Sequence, residues 1–189
     1  MAIHTHPRDL FFAAVEEYLK ASELCLRYRK DDGGVLGYPA TLMLCCIIDA
    51  MNNNLKRSEK RKLAGGEFKI LRHVSFGLNL TEERFHKIQQ SLGDWFRHKL
   101  AHQLVIVWNV ALEAEGTDTL PFGFSDLGDF DTIYVLPLYR LVEKAWRSID
   151  KSYFDEIGGG LGGPTIPATG LTDTFTVPPS GATSGSPRS

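Results

Sequence analysis

Residues 39–57 read PATLMLCCIIDAMNNNLKR. Pro39 suits the first turn of a helix, where its missing N–H leaves nothing unsatisfied. Leu42 to Ile48 then run apolar in every direction around a helix axis. Such a helix has no wet side to offer solvent, so it is expected at the centre of the domain with other segments wrapped around it. Asp49 interrupts the run. A carboxylate among apolar neighbours is costly unless paired. Three roles are open to it: orienting a catalytic arginine or histidine, pairing with a structural arginine, or marking the one wet strip of the helix.

On the N-terminal side, Pro7 opens another helix. Leu10, Phe11, Ala14, Val15, Tyr18, Leu19 and Leu26 recur near helical spacing, and Gly33-Gly34 ends it. On the C-terminal side comes KRSEKRK (Lys56–Lys62), then a break at Gly65-Gly66. A shorter helix, EFKILRHVSF, is expected to end at Gly77. Thr81 is a good N-cap, with Glu82 and Glu83 where the helix dipole favours carboxylates. Phe85, Ile88, Leu92, Trp95 and Phe96 form the apolar stripe of that helix.

Past it, LVIVWNVALEAE and TLPFGF flank GTD, which predicts a β-hairpin with Trp108 packed inside it. Residues 132–136 precede Pro137 and so favour extended geometry. Pro137 opens a last helix with Leu138, Leu141, Val142, Ala145, Trp146 and Ile149 on one face. The expected fold is all-α: an antiparallel helical bundle with an inserted β-hairpin before the last helix. This domain spans 1–157. Residues 158–189 are rich in Gly, Pro, Ser and Thr, hold only two charged residues and cannot bury a core, so a flexible tail is expected.

The chain has 189 residues and a formal net charge of −2, which excludes an overall polyanion-binding charge. The total hides a local excess: residues 56–102 hold eleven Lys/Arg against five Asp/Glu. KRSEKRK, with Lys69 and Arg72, is suited either to holding an RNA backbone by charge or to being a solvated loop. No aromatic residue interleaves it, so base stacking is not indicated. Three cysteines, two of them adjacent, suggest buried thiols rather than a disulfide framework or a zinc site. The start MAIHTHPRD has no apolar signal core, and ATLMLCCII is too short to span a bilayer. A cytoplasmic location without a membrane anchor is expected. No Gly-rich phosphate loop and no serine or cysteine nucleophile motif is present.

The chemistry concentrates in WFRHKLAHQ, residues 95–103. Histidine titrates near neutral pH and suits either proton transfer of metal-free RNA cleavage. The arginine fork suits the phosphate and the charge that builds on it. Arg97 and His102 then act on the phosphodiester, with His98 and Lys99 adding a second proton-transfer group and a second cation. On a regular helix, positions five apart point about 140° away from each other. Convergence therefore needs a distorted helix, a swung arginine or two copies of the motif across a dimer. Asp94, His98 and His102 do share a face, at metal-ligand spacing, although Arg97 and Lys99 disfavour a divalent ion. A third possibility is a solvated helix end. With eleven arginines and six histidines, such a pair arises roughly once by chance, so only context gives the spacing weight. His73 and His86 stand alone and are expected to be packing or surface residues.

FRHKLAHQ resembles the signature of the HEPN superfamily, in which an Arg, usually followed by a polar residue, precedes a His with four to six residues between them. Arg97 matches the arginine, His98 the polar follower and His102 the histidine. The resemblance implies a small helical protein that dimerises so that two motifs form one cleft. It also implies a metal-independent ribonuclease of toxin–antitoxin or defence systems, or a non-catalytic binder of RNA or nucleotides. Catalytic roles then fall to Arg97, His102 and His98, and substrate-binding roles to Lys99 and Asp49. No metal and no cofactor is implied. RNA, a second copy and a cognate antitoxin protein are the implied partners.

Overall fold

The computed structural model of the chain describes residues 6–63, 68–93, 110–115, 120–155 and 157. Helix accounts for 62% of the described residues, so the protein is mainly helical. Among the described residues five helices run Pro7–Arg27 (α1), Gly37–Asn54 (α2), Arg57–Lys62 (α3), Glu82–Leu92 (α4) and Val135–Ser148 (α5). The described strands, Ala111–Glu113 (β1), Phe122–Phe124 (β2) and Phe130–Tyr134 (β3), form a sheet of order β1-β3-β2. The all-α expectation is corrected to that extent.

α2 is the central element, as its sequence requires. Ala40, Leu44, Cys45, Ile48 and Met51 are all fully buried. α1 and α5 pack against it and against each other. Chain direction follows from the contacts at the ends. Phe11 and Phe12, near the start of α1, meet the Trp146 ring near the end of α5. At the other end of α1, Leu26 and Arg27 share a groove with Leu136 and Tyr139 near the start of α5. α1 is therefore antiparallel to α5. Gly37, opening α2, lies beside Val135, opening α5. The Lys56 N–H, just after α2, donates to the Tyr153 carbonyl, just after α5, at 2.9 Å. α2 and α5 therefore run the same way, with α1 against both.

The buried side of α1 is rotated from the expected stripe. Val15, Leu19 and Ser22 are buried, whereas Leu10 is 52% and Tyr18 44% exposed. Phe12, not counted in that stripe, is drawn in by the Trp146 and Phe154 rings. His6 caps α1 through Nδ1, which accepts the Arg8 N–H at 3.2 Å.

The EFKILRHVSF segment is not a regular helix where it is described. It holds a 3-10 turn at Lys69–Arg72. Phe68 sits fully buried in the left-handed region at φ 53°. Asn52 Oδ1 of α2 accepts the Ile70 N–H at 3.2 Å. Burial of Phe68, Ile70 and Leu71 against α2 has overridden a modest helix propensity.

The hairpin is also re-paired. β1 does not lie beside β2; it pairs parallel with β3, Leu112 opposite Ile133. The antiparallel hairpin is β2 with β3, turned through Ser125–Asp129 with Gly128 at φ 79°. Gly123 sits where a Cβ would come within 2.9 Å of Thr132 Cβ, at the register shift of this pair.

β3 runs directly into α5, so the extended geometry before Pro137 is present and the helix starts two residues ahead of it. The Leu136 N–H in the first turn of α5 donates to Ala114 O at 3.1 Å. α4 starts at Thr81, whose Oγ1 accepts the Arg84 N–H at 3.4 Å, and buries Phe85, Ile88 and Leu92. It is fixed to the hairpin: Lys87 Nζ donates to Gly128 O at 2.8 Å, and the Arg84 guanidinium lies 4.9 Å over the Phe124 ring.

Candidate functional site

Arg97, His98, Lys99 and His102 lie outside the described residues, as do Asp94, Trp95, Phe96 and Trp108. The residues that flank them are placed. The chain enters from α4 through Leu92 and Gly93, both buried, and returns at Val110, also buried. Leu92 and Val110 belong to one hydrophobic core. α4 packs on β3, and β1, directly after Val110, packs on both β3 and α2. The stretch that carries the motif thus leaves and rejoins the core through elements fixed to the same small sheet.

Asp49 is described. It is half-buried on α2, one turn after Cys45 and Cys46. Burial pushes both thiols above their ordinary value, and the Asp49 carboxylate adds to the rise at each. At neutral pH they stay protonated, and a thiol rather than a thiolate is a poor nucleophile. One turn further on, Asn52 ties α2 to Ile70, and the Asn53 carbonyl receives Lys60 Nζ at 2.6 Å. Asp49 is therefore one helical turn from the base of α3.

The basic segment is six residues of helix rather than loop, and its cations separate into two kinds. Lys60 is held by Asn53 O, Lys69 by Lys60 O at 3.1 Å, and Lys62 by Glu59 at 2.7 Å. Arg72 pairs with Glu82 at 2.6 Å and lies 4.6 Å over the Phe85 ring. Lys60, Lys69 and Arg72 join separate parts of the fold, whereas the Lys62 pair stays within α3. Arg57 and Arg61 are exposed and make no such contact among the described residues.

His73 is a packing residue, as its isolation in the sequence suggested. Its Nδ1 accepts the Ser75 N–H at 3.2 Å, and its ring meets Tyr153 edge-on. Burial pushes its pKa down, with nearby Glu59 opposing, so it is neutral at pH 7. His86 is exposed. Among the described residues no three His, Cys, Asp or Glu side chains could hold a metal ion, and the Asp94, His98, His102 set lies outside them.

Sequence reasoning missed a groove of about 400 Å³ between the end of α1 and the start of α5, lined by Glu23, Leu26, Arg27, Arg29, Leu136 and Tyr139. A hydrogen bond from Lys20 holds the Glu23 carboxyl low, and burial pushes the Tyr139 phenol up. Neither shift brings an acid or base towards neutrality. The only cue in the sequence was the Glu23/Arg27 pair at four-residue spacing.

No protein-family model, no curated protein and no solved structure matches the chain significantly.

Proposed function

We propose that this chain is a metal-independent endoribonuclease of HEPN type, acting as a homodimer on RNA. The observation that carries the reading is the Arg97–His102 spacing in FRHKLAHQ, directly after the capped helix α4 of a mainly helical protein.

In this reading His102 is the general acid/base. A base takes the ribose 2′-hydroxyl proton, the oxygen attacks phosphorus, and the bond to the 5′-oxygen breaks as that oxygen is protonated. The products are a 2′,3′-cyclic phosphate and a 5′-hydroxyl. Two copies of the motif supply the two imidazoles that the two proton transfers need. Arg97 stabilises the charge gathered on the phosphoryl oxygens. His98 assists, and Lys99 and Asp49 position the substrate. A toxin or defence role, restrained by a cognate antitoxin protein, fits such an activity.

The test is an RNA gel in EDTA comparing wild type, Arg97→Ala and His102→Ala. Loss of cutting in both variants with unchanged helix content is expected. Cutting that survives His102→Ala removes His102 from the mechanism, and cutting abolished by chelation points to the Asp94, His98, His102 metal set instead. The second reading, a non-catalytic RNA- or protein-binding module, is favoured by Arg57 and Arg61, exposed cations that need no chemistry to be useful.

A further inference from the structure

We infer that Arg57 and Arg61, on the exposed face of α3, form a track for the phosphodiester backbone of single-stranded RNA, one helical turn of α2 away from Asp49. The choice of RNA rests on the ribonuclease reading; the track itself rests on geometry and charge.

Residues 56–62 hold five cations and one carboxylate. That carboxylate, Glu59, is engaged by Lys62. Asp155 is shared between Arg8 and Lys56. Neither carboxylate pairs with Arg57 or Arg61 among the described residues. Arg57 and Arg61 are four residues apart, so they stand on one side of α3 with their Cβ atoms about 6 Å apart. Two guanidiniums so placed can each grip a phosphate of the same strand.

The lysines behind them hold the arginines in place. Lys60 reaches back to Asn53 O, which ties α3 to α2, and Lys69 reaches to Lys60 O, which ties the 3-10 turn to α3. Burial, with the like charges of Lys69 and Arg57 added, lowers the Lys60 pKa. An approaching polyanion relieves that crowding. The α2 rise from Asp49 to Asn53, whose carbonyl receives Lys60, is about 6 Å.

The patch does not suit a membrane. RSEKRK contains no apolar residue to insert between lipids, and interfacial helices need an apolar face. It offers no exposed ring for base stacking either, so binding is by charge, indifferent to base identity and sensitive to salt.

The test is fluorescence anisotropy with the full chain and a labelled 2′-O-methyl oligouridylate, which cannot be cut through a 2′-hydroxyl. Wild type is compared with Arg57→Ala/Arg61→Ala, with Arg57→Lys/Arg61→Lys, and with Arg140→Ala/Lys144→Ala on the exposed side of α5. The alanine pair is expected to weaken binding roughly tenfold and to lower the slope of log K against log salt by about 1.4, the value for two phosphate contacts. The lysine pair should keep most of the binding, which separates lost charge from lost fold, and the α5 pair should match wild type. No RNA binding by wild type, an alanine pair that binds like wild type, or an equal loss in the α5 pair overturns the track. So does retention on anionic vesicles through Arg57 and Arg61 without RNA binding. Cleavage is scored separately with unmodified RNA. Binding through the track without cleavage removes the enzyme and keeps the track; cleavage without dependence on Arg57 and Arg61 does the reverse.

Discussion

Glu16 Oε1 accepts the indole N–H of Trp146 at 2.6 Å, joining α1 to the last helix across 130 residues of chain. The same oxygen accepts a guanidinium N–H of Arg147 at 2.7 Å. Trp146 is 1% exposed, whereas Glu16 is exposed, so water can replace part of the lost acceptor. Glu16→Ala should lower unfolding free energy by about 1 kcal/mol, the net worth of an ordinary hydrogen bond. Glu16→Gln keeps an acceptor and should cost less. Denaturant unfolding of the two variants checks the order; equal costs would show that the hydrogen bond to Trp146 is not what matters.

Thr81 caps the helix that leads to the motif. Thr81→Ala should cost about 1 kcal/mol, and Thr81→Ser or Thr81→Asp should restore most of it. If α4 positions the motif, RNA cleavage should fall with Thr81→Ala at temperatures where the protein is still folded. A thermal melt and an activity series on the same samples read both effects.

The cysteines give a pH dependence whose sign is fixed. The Cys45 thiol is raised in the folded protein above its ordinary value of 9.0, chiefly by burial. The unfolded chain therefore loses that proton first as pH rises. The stability tied to the protonated thiol is fully present below pH 9 and is lost above it, by at most about 1.4 kcal/mol per pH unit. Cys45→Ala should flatten this alkaline limb. Urea midpoints between pH 7 and 10.5 measure it, and an unchanged slope in the variant would assign the limb to other groups.

Asp49 adds to the rise at Cys46. Asp49→Asn should lower the Cys46 pKa and speed its alkylation by iodoacetamide at pH 8, while Cys45, fully buried, stays protected until unfolding. Mass spectrometry of the alkylated peptides reads both. No change at Cys46 would mean that the carboxylate points away from it.

Much of the fold is legible in the sequence because local signals and burial agree there. The apolar run of α2, the Thr81 cap and the stripe of α5 each dictate one arrangement. Legibility fails where distant contacts decide. Parallel pairing of β1 with β3 joins segments that no turn connects, so the hairpin is expected one strand too early. The Asn52–Ile70 hydrogen bond reshapes residues 68–72 against their helical pattern. At the candidate site, the motif is visible as residue types in order. KRSEKRK does not reveal which cations stitch the fold and which face solvent, because the partners of Lys60 and Lys56, Asn53 and Asp155, lie on other elements.

Metal-free transesterification of RNA leaves a chemical signature on the fragment ends, which test it most directly. Purified protein is incubated with unmodified RNA in excess EDTA, and the fragments are weighed by mass spectrometry. A 2′,3′-cyclic phosphate on one fragment and a 5′-hydroxyl on the next, both absent with His102→Ala, are predicted. Intact RNA, 5′-phosphate ends, or cutting that appears only when a divalent ion is restored would contradict it.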